Sequence, residues 1–227
     1  MPQQINKKFF PFFFVFLLFC SLNNKNVSKF ELPKIQKINI SGLNSQNTNS
    51  LKKKLEQIKS QDLFFLKSSE IENILNQNNL IEKYKIFKKY PSTLEVKIQK
   101  AEPLAFLIKD AQYFSLGSNG KLIASKEAIK NIPIIFGDFE IRDFFKLKNF
   151  IDESNFNYQQ ITELFYFQSG RWDIKIKSGI LIKLSSENLK DSLNLLVKIL
   201  DEQKFKKLKV IDMRQKNQVV ITHQNLL

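Results

Sequence analysis

Apolar and polar positions recur along this chain with two different periods, and each change of period marks a new element. Leu51, Leu55 and Ile58 lie at helical spacing within 47–60, after polar residues able to cap a helix. Ile71, Ile74 and Leu75 repeat the pattern behind Ser68 and Ser69, either of which can cap a second helix that ends at Asn78-Asn79. Period two takes over at 93–100: Leu94, Val96 and Ile98 share one face, Glu95, Lys97 and Gln99 the other. Residues 37–40 and 81–88 also read as strands, the second followed by a turn at Pro91-Ser92. Pro103 closes the run because it offers no N–H to a ladder. The order strand, helix, helix, strand, strand leaves two amphipathic helices to cover one sheet face.

The second half is richer in strands. Residues 104–108 and 113–116 read as strands, with Gly117-Ser118-Asn119-Gly120 as a turn, and 122–124 and 133–136 as shorter strands, the last ending at Gly137. Residues 140–154 carry Ile141, Phe144, Phe145, Leu147 and Phe150 and read as a helix. A hairpin over 171–184 turns at Ser178-Gly179 and sets Trp172, Ile174 and Ile176 against Ile180, Ile182 and Leu184. Ser185-Ser186 can cap a helix over 188–201 with a stripe of Leu189, Leu193, Leu196 and Leu200. Strands at 208–213 and 219–222 finish the chain.

Ahead of all this stands an apolar run of another kind. Residues 9–20 read FFPFFFVFLLFC behind Lys7 and Lys8, a positive flank and hydrophobic segment of the export type. Twelve helical residues span only about 18 Å, against a hydrocarbon core of about 30 Å. Ten of the twelve are Phe, Leu or Val, worth roughly −3 to −6 kcal/mol together at the bilayer centre, so local thinning can hold a short span. The rival fate is a cleaved signal. Phe19 is bulky where signal peptidase needs a small residue, and it fills the place before Cys20 where a lipoprotein site also needs one. Uncleaved, the segment leaves 1–8 inside and everything after Leu22 outside the cytoplasm. Residues 23–34 are polar, close on Pro33-Lys34 and read as a linker.

Composition adds less. The net charge is +14, but Arg142, Arg171 and Arg214 are the only arginines among 36 basic residues, and nucleic-acid readers lean on arginine for bidentate contacts. Lysines and aromatics interleave at 82–90, EKYKIFKKY. That arrangement suits a single strand of nucleic acid. A period-two strand with Tyr84 and Ile86 on one side and Lys83 and Lys85 on the other explains it as well. No nucleic-acid partner is expected. One cysteine and one histidine, Cys20 and His223, exclude an intrachain disulfide and a Cys/His zinc site. Asp138, Glu140 and Asp143 could suggest an acid–base pair or a magnesium site. At the start of a helix they equally offset the positive end of its dipole. With no P-loop, dinucleotide fingerprint or nucleophile motif in the chain, neither enzyme chemistry nor a cofactor is expected.

Several stretches, in order, resemble one known family. Ile38-Asn39-Ile40-Ser41-Gly42 resembles the opening strand and turn of a POTRA module. Tyr90-Pro91-Ser92-Thr93-Leu94-Glu95-Val96 with Glu102-Pro103-Leu104-Ala105 is similar to the close of the POTRA domain in FtsQ/DivIB cell-division proteins. Gly170-Arg171-Trp172-Asp173 through Gly179-Ile180, and Val210-Ile211-Asp212-Met213-Arg214 before Val219-Val220, resemble the later strands of that family's β domain, most closely its α-proteobacterial form. The resemblance implies an α+β fold: an N-terminal membrane anchor helix, a POTRA domain (β-α-α-β-β), then a mixed α/β domain with a mostly antiparallel sheet. The expected division is a cytoplasmic tail at 1–8, a transmembrane anchor at 9–22, a linker at 23–34, a POTRA domain at 35–103 and the β domain at 104–227. It further implies a single-pass divisome scaffold of the inner membrane, with periplasmic domains, that links early and late division proteins at the septum.

Function then falls to a sheet edge. Val219, Val220, Ile221 and Thr222 include no Pro, Lys or Glu to discourage pairing, so the last strand can be either a masked edge or a docking rail. The resemblance implies the rail: family members bind FtsB and FtsL at the end of the β domain by strand addition, with the POTRA domain facing FtsK. Met213, Arg214 and Gln215 join the expected site, although some relatives place an aromatic where Gln215 stands. The alternatives are a POTRA-bearing envelope transport or assembly factor and an exported cell-wall hydrolase.

Overall fold

The computed structural model describes residues 9–22, 33–125, 127, 131–202, 208–215 and 218–223. Residues 1–8 and most of the expected linker lie outside them. Two compact units form, one of 1–72 with 86–97 and one of 73–85 with 98–227.

Helix α1, Phe9–Leu22, is the apolar run. Its 14 residues rise about 21 Å. Among the described residues no helix is long and apolar enough to cross a membrane.

The expected strand, helix, helix, strand, strand order is present. Strand β1 (Lys37–Ser41) leads to α2 (Ser45–Leu55), then α3 (Ser68–Asn76), β2 (Ile81–Lys89) and β3 (Thr93–Lys100). The sheet order is β1-β3-β2, with β1 parallel to β3. Helix α2 starts two residues earlier than its apolar spacing predicts, because the Asn44 carboxamide accepts the Asn47 N–H at 3.0 Å. It tightens to a 3-10 turn over Glu56–Ser60, yet Leu51, Leu55 and Ile58 all stay buried. Ser68 and Ser69 open α3 rather than cap it.

Among the described residues the other sheet has nine strands, in the order β12-β11-β10-β9-β8-β7-β4-β5-β6. These are β4 (Pro103–Lys109), β5 (Gln112–Gly117), β6 (Leu122–Ser125), β7 (Ile134–Phe136), β8 (Ile161–Tyr166), β9 (Trp172–Ile176), β10 (Leu181–Lys183), β11 (Leu208–Asp212) and β12 (Val220–His223). Neighbours run antiparallel except β4–β7, β7–β8 and β10–β11. Helices α4 (Ile141–Glu153) and α5 (Leu189–Asp201) contribute Phe144, Leu147, Ile151, Leu193 and Leu196 to the core, against Leu107, Ile135, Leu164, Ile174, Ile182 and Ile211 of the strands. Strand β8 has no counterpart among the expected elements. The cap of α5 also differs: Asn188 holds that place, and Ser185 Oγ accepts the Glu187 N–H, ahead of the helix, at 3.3 Å.

One glycine in this sheet is required sterically. At Gly137, φ is +101°, and an added Cβ would sit 2.2 Å from the Tyr166 carbonyl oxygen. No other residue lets the chain leave β7 this close to the neighbouring strand.

Candidate functional site

The outermost strand of the nine is β12. It pairs antiparallel with β11, Asp212 opposite Val220, Ile211 opposite Ile221 and Val210 opposite Thr222, and among the described residues no strand lies on its other flank. The strand is displaced by one residue from the expected 219–222, and exposed His223 belongs to it, opposite Leu208. Alternation sorts its side chains: Ile221 packs with Val219 against the core, whereas Val220 and Thr222 are exposed.

The remaining expected residues separate by role. Met213 is buried, and its N–H donates to the Lys183 carbonyl at 2.8 Å, prolonging the β10–β11 pairing by one step. Arg214 and Gln215 are exposed. A cavity of about 370 Å³ lies between the β11–β12 connection and α5, lined by Met213, Gln215, Gln218 and Val219 on one side and by Asn188, Asp191, Ser192 and Leu195 on the other. Three of the expected residues thus share a groove with a helix that the sequence reading did not connect to them. Leu195 was the available signal: it is 43% exposed, an apolar residue off the buried stripe of α5.

Elsewhere on this sheet, charge is arranged in a cross-strand row. Phe136, Phe165, Asp173, Lys183, Asp212 and Val220 lie opposite one another on successive strands and so share one face. Arg214 donates from Nε to both Asp212 carboxylate oxygens, at 2.8 and 3.0 Å, and its backbone N–H donates to the same group at 3.1 Å. These bonds hold the Asp212 carboxyl below its usual range, with the Lys183 charge adding to the effect. Asp173 is buried and shifts the other way: desolvation raises its pKa, and Arg171, 3.0 Å away, only partly offsets it.

The two carboxylates therefore oppose each other in acid. Stability from Asp212 is complete above its ordinary pKa of 3.8 and is lost as pH falls through the lower folded value. Asp173 behaves inversely, since its folded form binds a proton more readily than the unfolded chain does. An Asp212→Asn variant is expected to be less stable than wild type at neutral pH. The two urea midpoints should converge as pH drops below 3.8; midpoints that stay apart there would refute this account of the pair.

The other chemical candidates resolve into structure. Glu140 pairs with Arg142 at 2.8 Å, and Asp143 accepts the Tyr166 hydroxyl at 3.1 Å, both at the start of α4. Among the described residues no group of His, Cys, Asp or Glu is placed to hold a metal ion. In β2, Lys83 and Lys85 are exposed while Tyr84 and Ile86 are half-buried, the period of a strand.

Comparison with known proteins places these observations. Residues 34–100 match the family described as POTRA domain, FtsQ-type, and residues 105–214 match Cell division protein FtsQ/DivIB, C-terminal. The second match stops five residues short of β12. The chain is similar to cell division protein FtsQ of Rickettsia bellii, 25% identical over 191 residues that cover 83% of this chain and 72% of that one. It is also similar to cell division protein DivIB of Clostridium botulinum, 29% identical over 167 residues, covering 63% and 62% of the two chains. The extracytoplasmic domain of DivIB from Geobacillus stearothermophilus aligns with 41% of this chain and 85% of its own length at 17% identity, with a TM-score of 0.33, too loose a likeness to carry an argument.

Proposed function

Because the chain belongs to the FtsQ/DivIB family of non-enzymatic cell-division proteins, we propose that it is a single-pass scaffold whose β12 edge takes up a strand from a partner in the divisome. The observation that carries this reading is the place of β12: outermost in its sheet, with its far flank unpaired among the described residues and a groove alongside. An open edge offers a row of backbone donors and acceptors, and a groove beside it can take the side chains that point off the added strand. The family implies FtsB and FtsL as the partners there and FtsK at the POTRA domain. A scaffold of this kind joins early and late division proteins at the septum by geometry alone.

In this reading α1 is an uncleaved inner-membrane anchor. Residues 1–8 are cytoplasmic, 23–34 a linker, and 35–103 and 104–227 the periplasmic POTRA and β domains. Confinement to the membrane raises the effective concentration of the edge for partners anchored in the same plane. The composition of α1 supports anchoring although its length is short, because a thinned bilayer accommodates it at modest cost.

Membranes from cells producing the tagged full chain provide the test. The chain is expected to stay with the membrane through an alkaline carbonate wash and, after mild solubilisation, to co-elute with FtsB and FtsL. Removal of residues 9–22 is expected to release it. Release of the intact chain by carbonate would overturn the anchor, and elution without FtsB would overturn the assignment of the edge.

A further inference from the structure

The surface of the first unit carries an aromatic group that neither the fold nor the proposed scaffold role uses. Phe64, Phe65 and Tyr90 are 63%, 69% and 60% exposed. They touch one another, Phe64 and Phe65 edge to face with ring centroids 5.3 Å apart and Tyr90 with its ring 6.4 Å from Phe64. The loop itself sets this display: Leu63 and Leu66 are buried at 1% and 2%, so the two residues between them are turned to solvent. Three adjoining exposed rings are an unusual cost for a soluble surface and mark a place where something else covers them.

Their position says what. The backbones of Lys34 and Asp62 form an isolated antiparallel bridge, the Ile35 N–H donates to Gln61 O at 3.2 Å, and the Gln36 N–H donates to Ser92 O at 2.9 Å. The Lys88 ammonium donates to Leu66 O at 2.5 Å. The aromatic loop, the turn after β2 and the point where the chain arrives from residue 33 therefore form a single pole, from which β1 and β3 run away in parallel. Exposed Lys34 and Lys67 belong to the same pole, whereas Lys89, next to Tyr90 in the chain, is paired with Glu95 at 2.7 Å. Only residues 23–32 separate this pole from Leu22, and a fully extended chain of that length reaches about 35 Å.

We propose that Phe64, Phe65 and Tyr90 dock this pole on the outer surface of the lipid bilayer, their rings in the boundary between headgroups and acyl chains and Lys34 and Lys67 on anionic headgroups. The inference rests on reading α1 as an uncleaved anchor. Aromatic rings favour that boundary, tyrosine most clearly because its hydroxyl remains wet. Lysines of the same pole are drawn to anionic lipid within a Debye length of the surface. Each contact is weak, but a short tether keeps the pole close to the surface and makes weak contacts sufficient. Docking would hold the first unit in a fixed pose on the bilayer.

The full chain with Cys20→Ser and Ser69→Cys, labelled at residue 69 with an environment-sensitive NBD fluorophore, tests this in phosphatidylcholine–phosphatidylglycerol vesicles. The expected result is blue-shifted emission that lipid-borne doxyl groups quench, lost in a Phe64→Ser, Phe65→Ser, Tyr90→Ser variant whose circular dichroism is unchanged. A carbonate wash of the same vesicles separates the two ways of failing. A chain that washes off sinks the anchor and the docking with it. A chain that stays while its label remains in water overturns docking alone. So does quenching that survives the triple substitution, and so does a blue shift without lipid quenching, which would mean that a second copy of the chain covers the rings.

Discussion

Removing residues 219–227 is expected to weaken capture of FtsB by at least about a hundredfold, roughly 3 kcal/mol, while the rest of the chain stays folded. The truncation takes away β12, with Val219 and Ile221 the only two of its described apolar side chains that pack on the core. Two half-buried aliphatic side chains at an edge contribute about 1–3 kcal/mol between them, a tolerable loss beside a core built on Phe144, Leu164, Ile174 and Ile211. The loss of binding should be larger, because an added strand of four residues exchanges several backbone hydrogen bonds at about 0.5–1.5 kcal/mol each. Its side chains would also lose the groove beside α5. A gentler variant separates edge from groove. Val220→Lys with Thr222→Lys, at two exposed positions of the strand, keeps β12 in its sheet but charges the edge, as natural edges are protected. Leu195→Asp leaves the edge untouched and spoils the groove. Both should weaken binding by less than the truncation, as read by co-purification and by titration of the full chain in detergent. Undiminished capture of FtsB by the truncated protein would end the edge-strand reading.

Phe144→Ala should cost about 3–5 kcal/mol of unfolding free energy, the range for emptying a buried phenylalanine site. The side chain is 1% exposed, on the face of α4 that also carries Leu147 and Ile151 into the core. It lies edge to face with Phe145, centroids 5.6 Å apart. Few neighbours can move to fill the space, since the strands opposite are held by pairing on both flanks. Domains of this size have roughly 5–15 kcal/mol in total, so the variant should unfold at a much lower urea concentration. Ile141 supplies the internal control: on the same helix but 38% exposed, it should lose less than about 1.5 kcal/mol on replacement by alanine. Equal midpoints for the two variants would mean that α4 does not pack as described.

Most elements were legible because burial on one face leaves a period in the sequence, and the period survives without knowledge of any neighbour. Leu51, Leu55 and Ile58 are buried as their spacing predicts, as are Leu94, Val96 and Ile98. Strand β8 escaped for a local reason. Its pairing with β9 shifts register between Ile161 and Glu163, so the buried Ile161 and Leu164 stand three residues apart. That spacing breaks a strand's period of two, and over six residues it is too short a run to read as a helix. The cap of α5 escaped because Ser185, Ser186 and Asn188 are equivalent in residue type, and only the path of the chain chooses among them.

For the candidate site, residue order alone carried the family resemblance, the absence of charge and proline from 219–222, and the choice of Met213, Arg214 and Gln215. These are properties of residue type and order, which one dimension contains. It took the folded chain to show that β12 is outermost, that Leu195 stands across a groove from Val219, and that Asp173, Lys183 and Asp212 fall in one row. Being last in the chain does not make a strand last in a sheet. Here the order follows from a parallel crossover through α5 that lays β11 beside β10 and leaves one flank for β12. Which strand keeps an unpaired flank depends on how all nine pack around one core, and no stretch of residues encodes that locally.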